Sequence, residues 1–342
     1  VPPKGTTAQR PQNPQPGDLR FNTDTASLEY FKGDTLNWSQ IEMTSPDLNG
    51  GARGFHASGG QHPAQINVIE FITISTLGDG TDFGDTGYKA MQMSNGISSR
   101  TRGIFAGGYT GGRVNTIEYI TMSSSGNATD FGDMTQQREG VAGGSNGTRG
   151  IMCAGWVNPA GTNIIDYITI AATGNAVDFG DNTQASNQNA GVNSSTRMVV
   201  RGANNNTISY ITMATTGDAA DFGDFTAAVD YGLGGVCNST RGMFAGGHPG
   251  SGALNTIQYI TIATLGNGSD FGDLTTARRD TNGVSSPTRG CWLGGTSDSS
   301  PYPQVNIIDY VQILTTGNAK DFGDLTTVRK GGGACSNAHG GL

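Results

Sequence analysis

Apolar and polar positions alternate in short runs along most of the chain, and no stretch settles into a helical period. The clearest runs are Asn-Thr-Ile-Glu-Tyr-Ile-Thr-Met at 115–122 and Asn-Thr-Ile-Gln-Tyr-Ile-Thr-Ile at 255–262. β-Branched and aromatic residues at a period of two predict half-buried strands. The pattern also repeats. Asp-Phe-Gly-Asp occurs six times, starting at residues 82, 130, 178, 221, 270 and 321, with spacings of 48, 48, 43, 49 and 51. In phase with it, an arginine precedes a short apolar run that ends in glycines. The alternating run follows.

Each unit reads as four antiparallel strands. In the fifth unit they fall at 234–238, 242–247, 255–262 and 270–274, with a Gly-Asn turn at 266–267 between the last two. Four short strands at this period predict a propeller blade, since solenoid coils are usually shorter and do not end in half-units. The ends predict closure. Residues 45–51 carry no apolar strand ahead of the first unit, while Gly-Gly-Ala-Cys-Ser-Asn at 332–337 is a first-strand sequence left over after the sixth. The C-terminus would thus complete the first blade, giving an all-β six-bladed propeller over 45–342 with no exposed sheet edge.

Composition fits this reading. Glycine is 55 of 342 residues and charged residues are only 14%, which argues against helical bundles. There is no apolar window long enough to span a membrane and no charged-then-apolar leader, so no membrane insertion is expected. With 20 basic and 28 acidic side chains, a nucleic-acid surface is not expected either. Cys153, Cys237, Cys291 and Cys335 are widely spaced, which fits reduced core residues rather than a metal or redox motif.

The Asp-Phe-Gly string does not make a kinase, because the phosphate loop, strand lysine and His-Arg-Asp set are missing. A structural role is expected instead. In a four-strand meander the one–two and three–four turns share a face. Arg53, Arg102, Arg149, Arg197, Arg241 and Arg289 should therefore meet the box aspartates. Those are Asp82, Asp85, Asp130, Asp133, Asp178, Asp181, Asp221, Asp224, Asp270, Asp273, Asp321 and Asp324. The expectation is one charge-assisted lock per blade. Calcium is the alternative, with few oxygen ligands per box. The four histidines form no zinc motif and no nucleophile elbow occurs, so no catalytic residue, metal or cofactor is assigned.

Comparing the six copies locates a binding face. The one–two and three–four turns are nearly constant, whereas the two–three loops and four–one segments differ in length and content and should share the opposite face. Loops that vary on a repeating scaffold are where recognition is placed. The candidates are Tyr88, Tyr109, Arg113, Trp156, Asn158, Tyr231, His248, Asp298 and Tyr302. Aromatic faces beside Asn and Asp suit a sugar or a protein partner.

Residues 1–17 are rich in Pro, Gln and Thr and read as an extended linker. Residues 18–44 form a small β module, with three short strands in 18–41 and turns near 22–26 and 32–34. That segment is too small to bury a core alone. Trp38 and Ile41 should pack on the propeller, and Phe21 and Tyr30 should face another chain. The repeat resembles the kelch class in its basic residue after strand four, its Gly-Gly strand end and its Tyr-containing strand. It departs where kelch puts Trp on strand four, which here is the box Phe. The run Pro-Gly-Asp-Leu-Arg-Phe-Asn-Thr-Asp-Thr-Ala-Ser-Leu-Glu-Tyr-Phe-Lys-Gly at 16–33 is similar to a segment common in bacteriophage tail-fibre and other virion proteins. The repeat likewise resembles those of virion structural proteins in tailed phages of marine cyanobacteria. The resemblance implies a non-enzymatic virion protein, a tail fibre or appendage assembled in the bacterial cytoplasm. It would be a homotrimer held to other virion subunits by its N-terminal module, with the propeller facing a host-surface glycan or protein. A glycan-hydrolysing tailspike and a purely architectural virion protein are the alternatives. Sialidases, also six-bladed, carry Ser-x-Asp-x-Gly-x-x-Trp boxes that are missing here.

Overall fold

The computed structural model describes residues 2–24, 27–33, 37–41, 52–61, 64–187, 190–202, 205–229, 231–298 and 303–342. The chain divides into two compact units, Val1–Ser45 and Pro46–Leu342. It is all-β, built on four-stranded sheets, an architecture compatible with a β-propeller.

Among the described residues the larger unit holds six antiparallel four-stranded sheets. The fifth is representative, with strands Tyr231–Cys237, Arg241–His248, Thr256–Thr261 and Ser269–Asp273 in sequential order. In the first sheet Gly333–Ser336 pairs with Arg53–Gln61, Cys335 opposite Phe55 and Ser336 opposite Gly54. The C-terminal strand therefore fills the place that residues 45–51 leave empty in the sequence pattern. Both faces of a sheet are buried, each against a different neighbour. In the fifth sheet Ile257 and Ile260 are buried, and Phe271 lies edge-on to Tyr259 with centroids 6.0 Å apart.

Consecutive sheets approach backbone to backbone along their first strands. A Cβ on Gly143 would sit 2.0 Å from the Asn95 carbonyl oxygen, one on Gly191 2.4 Å from that of Gly143, and one on Gly283 2.0 Å from that of Gly235. Only glycine permits this spacing. Asn95 bridges both Ala142 and Ala334, so the second unit's first strand also neighbours the C-terminal one.

The box explains itself as a docking strip. Its phenylalanines are all at most 3% exposed. Each box carries a register shift, as between Ile117 and Glu118 opposite Gly132 and Asp130. That bulge turns the box glycine to a left-handed φ, +143° at Gly132, where a Cβ would meet the Gly174 carbonyl oxygen at 2.5 Å. The three–four turn of the next unit lies there. Its glycine N–H donates to the box phenylalanine carbonyl, from Gly126 to Phe83 and so on to Gly317 and Phe271, and from Gly78 to Phe322. Its Asn or Asp side chain accepts from the second box aspartate's N–H, from Asn127 and Asp85 at 3.0 Å round to Asp79 and Asp324 at 3.0 Å. The contact runs from each unit to the next and from the sixth to the first.

The expected Arg–Asp lock does not form. Each turn arginine instead donates to a carbonyl just past the third strand of the following sheet. Arg53 reaches Met122 at 3.1 Å, Arg102 Ile170 at 2.7 Å and Arg149 Met213 at 2.7 Å. Arg197 reaches Ile262 at 2.9 Å, Arg241 Ile313 at 2.8 Å and Arg289 Ile74 at 2.8 Å. Their guanidinium groups lie over strand-three rings, 4.3 Å from Tyr119 for Arg102 and 5.0 Å from Phe71 for Arg53. The reason is register. The arginine starts strand two and the box lies on strand four, so strand three and its aromatic ring stand between them. The aspartates at box position one, Asp82, Asp130, Asp178, Asp221, Asp270 and Asp321, are exposed.

In the smaller unit, Leu19–Asn22, Ser27–Phe31 and Trp38–Ile41 form an antiparallel meander. The segment expected to be an extended linker, 1–17, is instead tied to this sheet. Lys4–Gly5 adds as a parallel strand on Phe21 and Asn22, and Thr7–Gln9 forms a 3-10 turn. A polar cluster holds this segment down. Buried Glu29 binds Arg10 at 2.7 Å, Arg20 at 3.2 Å and Asn22 at 3.2 Å. The hydrogen bond from Arg10 chiefly holds the Glu29 carboxyl below its ordinary range. Arg20 and Asn22 take one face of their strand, which leaves Leu19 and Phe21 exposed on the other, at 46% and 37%. Trp38 packs on Phe31, with ring centroids 5.5 Å apart.

Candidate functional site

The four–one segments and the two–three loops meet, as the alternation requires. Met91 bridges Tyr109, Glu139 bridges Trp156, and Lys330 bridges Gly60. Tyr231 pairs with His248, and Arg279 with Thr296. Two side-chain clusters are built on these junctions.

In the first cluster Arg113 donates to Glu139 at 2.7 Å. Its guanidinium carbon lies 5.9 Å from the Tyr109 ring and 6.0 Å from the Trp156 ring. Burial raises the Glu139 pKa, and Arg113 opposes the shift. All three aromatic and cationic members are half-buried, so ring faces and the guanidinium edge are both presented. In the second cluster the Tyr231 and His248 rings stack, 5.1 Å apart and 14° from parallel. Arg279 donates to the Tyr231 hydroxyl at 2.5 Å, and its guanidinium carbon is 5.4 Å from the ring. Lys330 sits 3.8 Å from Asp280, whose carboxyl is pushed up by burial and pulled down by Lys330, Arg279 and His248.

Between the junctions, backbone amides form a chain of bonds: Gly140 to Gln92 at 2.8 Å, Gln92 to Gly331, Gly331 to Asp280 at 2.8 Å, and Asp280 to Gly232 at 2.8 Å. These segments border a partly open pocket of about 40 Å3, lined partly by Gln92, Asn95, Asp280 and Asn282. That is room for a few water-sized groups.

Three other described candidates, Tyr88, Asn158 and Asp298, stand apart from the clusters. Tyr88 is turned inward, its hydroxyl donating to the Gly107 and Thr116 carbonyls at 3.2 Å each, so it serves packing rather than display. Asn158 is exposed at a loop tip. Asp298 accepts from the Ala253 N–H at 2.7 Å and ties the fifth and sixth units' loops together. Tyr302 and the Ile41 side chain lie outside the described residues. Sequence reasoning missed Glu139, Arg279, Asp280 and Lys330. Each stands in a four–one segment beside the loops already singled out, and that adjacency was the available signal. Among the described residues no three His, Cys, Asp or Glu converge as a metal site would need.

Compared with known proteins, the chain matches no protein-family model and no curated protein.

Proposed function

We propose that residues 46–342 are a closed six-bladed, kelch-like β-propeller and that the chain is a non-enzymatic virion structural protein, a tail fibre or appendage subunit. The seams that return from the sixth unit to the first support ring closure. The variable end binds a host-surface glycan or a neighbouring protein through the Tyr109–Arg113–Trp156 and Tyr231–His248–Arg279 clusters. One observation carries this reading: the same contacts repeat around one end of the units, while unlike aromatic–cation clusters stand at the other. Half-buried rings beside held cations suit sugar stacking and polar recognition. Glu139 and Asp280 are each engaged by a cation, which does not suit the free acid pair of a glycan hydrolase.

The N-terminal unit is the assembly element. Leu19, Phe21, Leu28 and Tyr30 pair across one face of its sheet, and that face supplies the contact for a homotrimer and for other virion subunits. The similarity of residues 16–33 to virion segments supports this assignment. Adsorption of the purified chain to lipopolysaccharide from marine cyanobacteria tests the binding role. The double variant Trp156→Ala/Tyr231→Ala should lose at least tenfold in affinity, by the usual scale of aromatic anchors. Undiminished adsorption would overturn the assignment of this face.

A further inference from the structure

The six seams share one polar position, and one of them is built differently. On strand three, just before the aromatic residue, stand Glu70, Glu118, Asp166, Ser209, Gln258 and Asp309. The preceding unit supplies two partners, five and eight residues after the start of its box. Three seams are ionic. Arg138 pairs with Asp166 at 2.8 Å and Arg278 with Asp309 at 3.2 Å, both fully buried, and Arg329 pairs with Glu70. Thr135, Thr275 and Thr326 add hydroxyl bonds to the same acids. In two seams the shared position is uncharged: Thr183 meets Ser209 at 2.5 Å and Thr226 meets Gln258 at 3.2 Å.

The seam between the first and second units keeps the acid and lacks both partners. The arginine position is Ala90 and the threonine position is Gly87. Tyr88 occupies part of the arginine's role, donating to the Thr116 carbonyl at 3.2 Å where Arg138 donates to that of Ile164 at 2.9 Å. Glu118 is left 5% exposed. Its Oε1 accepts the Gly87 N–H at 2.9 Å, and its Oε2 has no protein partner. The titratable groups facing it are the Tyr88 hydroxyl and Asp130, which stands opposite in register. Among the described residues no ion pair reaches it.

We propose that this seam is a proton-operated latch between the first two units, closed while Glu118 carries a proton and loosened when that proton leaves. An ionised carboxylate there would be buried beside a second carboxylate with one hydrogen bond and no cation, which is strongly unfavourable. The protonated acid carries no charge to desolvate and escapes that cost. Burial above all, then Asp130, raises the carboxyl from its ordinary 4.5 to about 7, against the Gly87 bond. Between those values the closed seam holds a proton that the open seam releases. Rising pH therefore favours opening, by about tenfold between pH 6 and pH 8.5.

Hydrogen exchange of the full chain, corrected for the intrinsic pH dependence of amide exchange, tests this directly. Peptides over 83–92 and 115–122 should lose about tenfold in protection from pH 6 to pH 8.5. Peptides over 131–140 and 163–170, at the Arg138–Asp166 seam, should not, and Glu118→Gln should abolish the change. An equal loss at both seams, or one that persists in Glu118→Gln, overturns the latch. If the variant does not fold, carbon-13 NMR of glutamate carboxyls in the native chain decides. An assigned Glu118 carboxyl titrating near 7 supports the proposal, and one titrating below 5.5 overturns it.

Discussion

Arg241 and Asp270 show how one residue's role depends on register. An Arg–Asp lock would make both costly to remove. The structure instead has Arg241 on the Ile313 carbonyl and the Tyr259 ring, with Asp270 exposed. Arg241→Ala should therefore cost about 1–2 kcal/mol and Asp270→Asn under about 0.5 kcal/mol in chemical denaturation. Glycine positions separate in the same way. Gly132→Ala meets both a left-handed φ and the Gly174 carbonyl, so it should cost about 2–4 kcal/mol. Gly174→Ala has φ +155° and open space, and should cost about 1 kcal/mol less. His56 and His339 are buried and neutral, pushed by burial to about 3 and about 4. Between pH 6 and 4 the unfolded chain binds protons that these imidazoles refuse. Each therefore lowers stability by about 1.4 kcal/mol per pH unit as pH falls. His339→Gln should flatten the measured slope by that amount. The sequence made the repeated Arg and Asp visible, but pairing them needed the register, which a bulge and an intervening ring decide.

At the scale of elements, strands were legible because alternation and turn glycines agree over short spans. Strand one of the first unit was found by counting what the repeat lacked at 45–51 and had in surplus at 332–337. Deleting residues 332–342 should abolish cooperative thermal unfolding, because it strips a strand from Arg53–Gln61 and exposes sheet edges. A truncated chain that melts as the native one does would refute that role. Asp166→Asn should cost about 3–5 kcal/mol, since it leaves Arg138 buried without its counter-charge. The segment 1–17 misled for the opposite reason. Its Pro-rich composition carries no periodicity, yet Arg10 supplies a charge to Glu29, and that long-range pair anchors it. Composition cannot report a contact between residues 19 positions apart.

Across the whole molecule, the proposal divides labour. In it, repeated seams would make a rigid ring, the unlike loops at one end would bind, and the N-terminal unit would assemble the chains. The candidate face was legible because six copies of one unit can be compared within one chain. Its charged members were less so, since Glu139, Arg279, Asp280 and Lys330 become neighbours of the aromatic loops only when strand ends pair across units. Electron cryomicroscopy of the purified full chain tests the account most directly. It should show three closed six-bladed discs joined through residues 1–45, with Trp156 and Tyr231 clear of neighbouring chains. An open arc of sheets, or discs packed on one another through the Trp156–Tyr231 face while residues 1–45 stand unpaired, would contradict it.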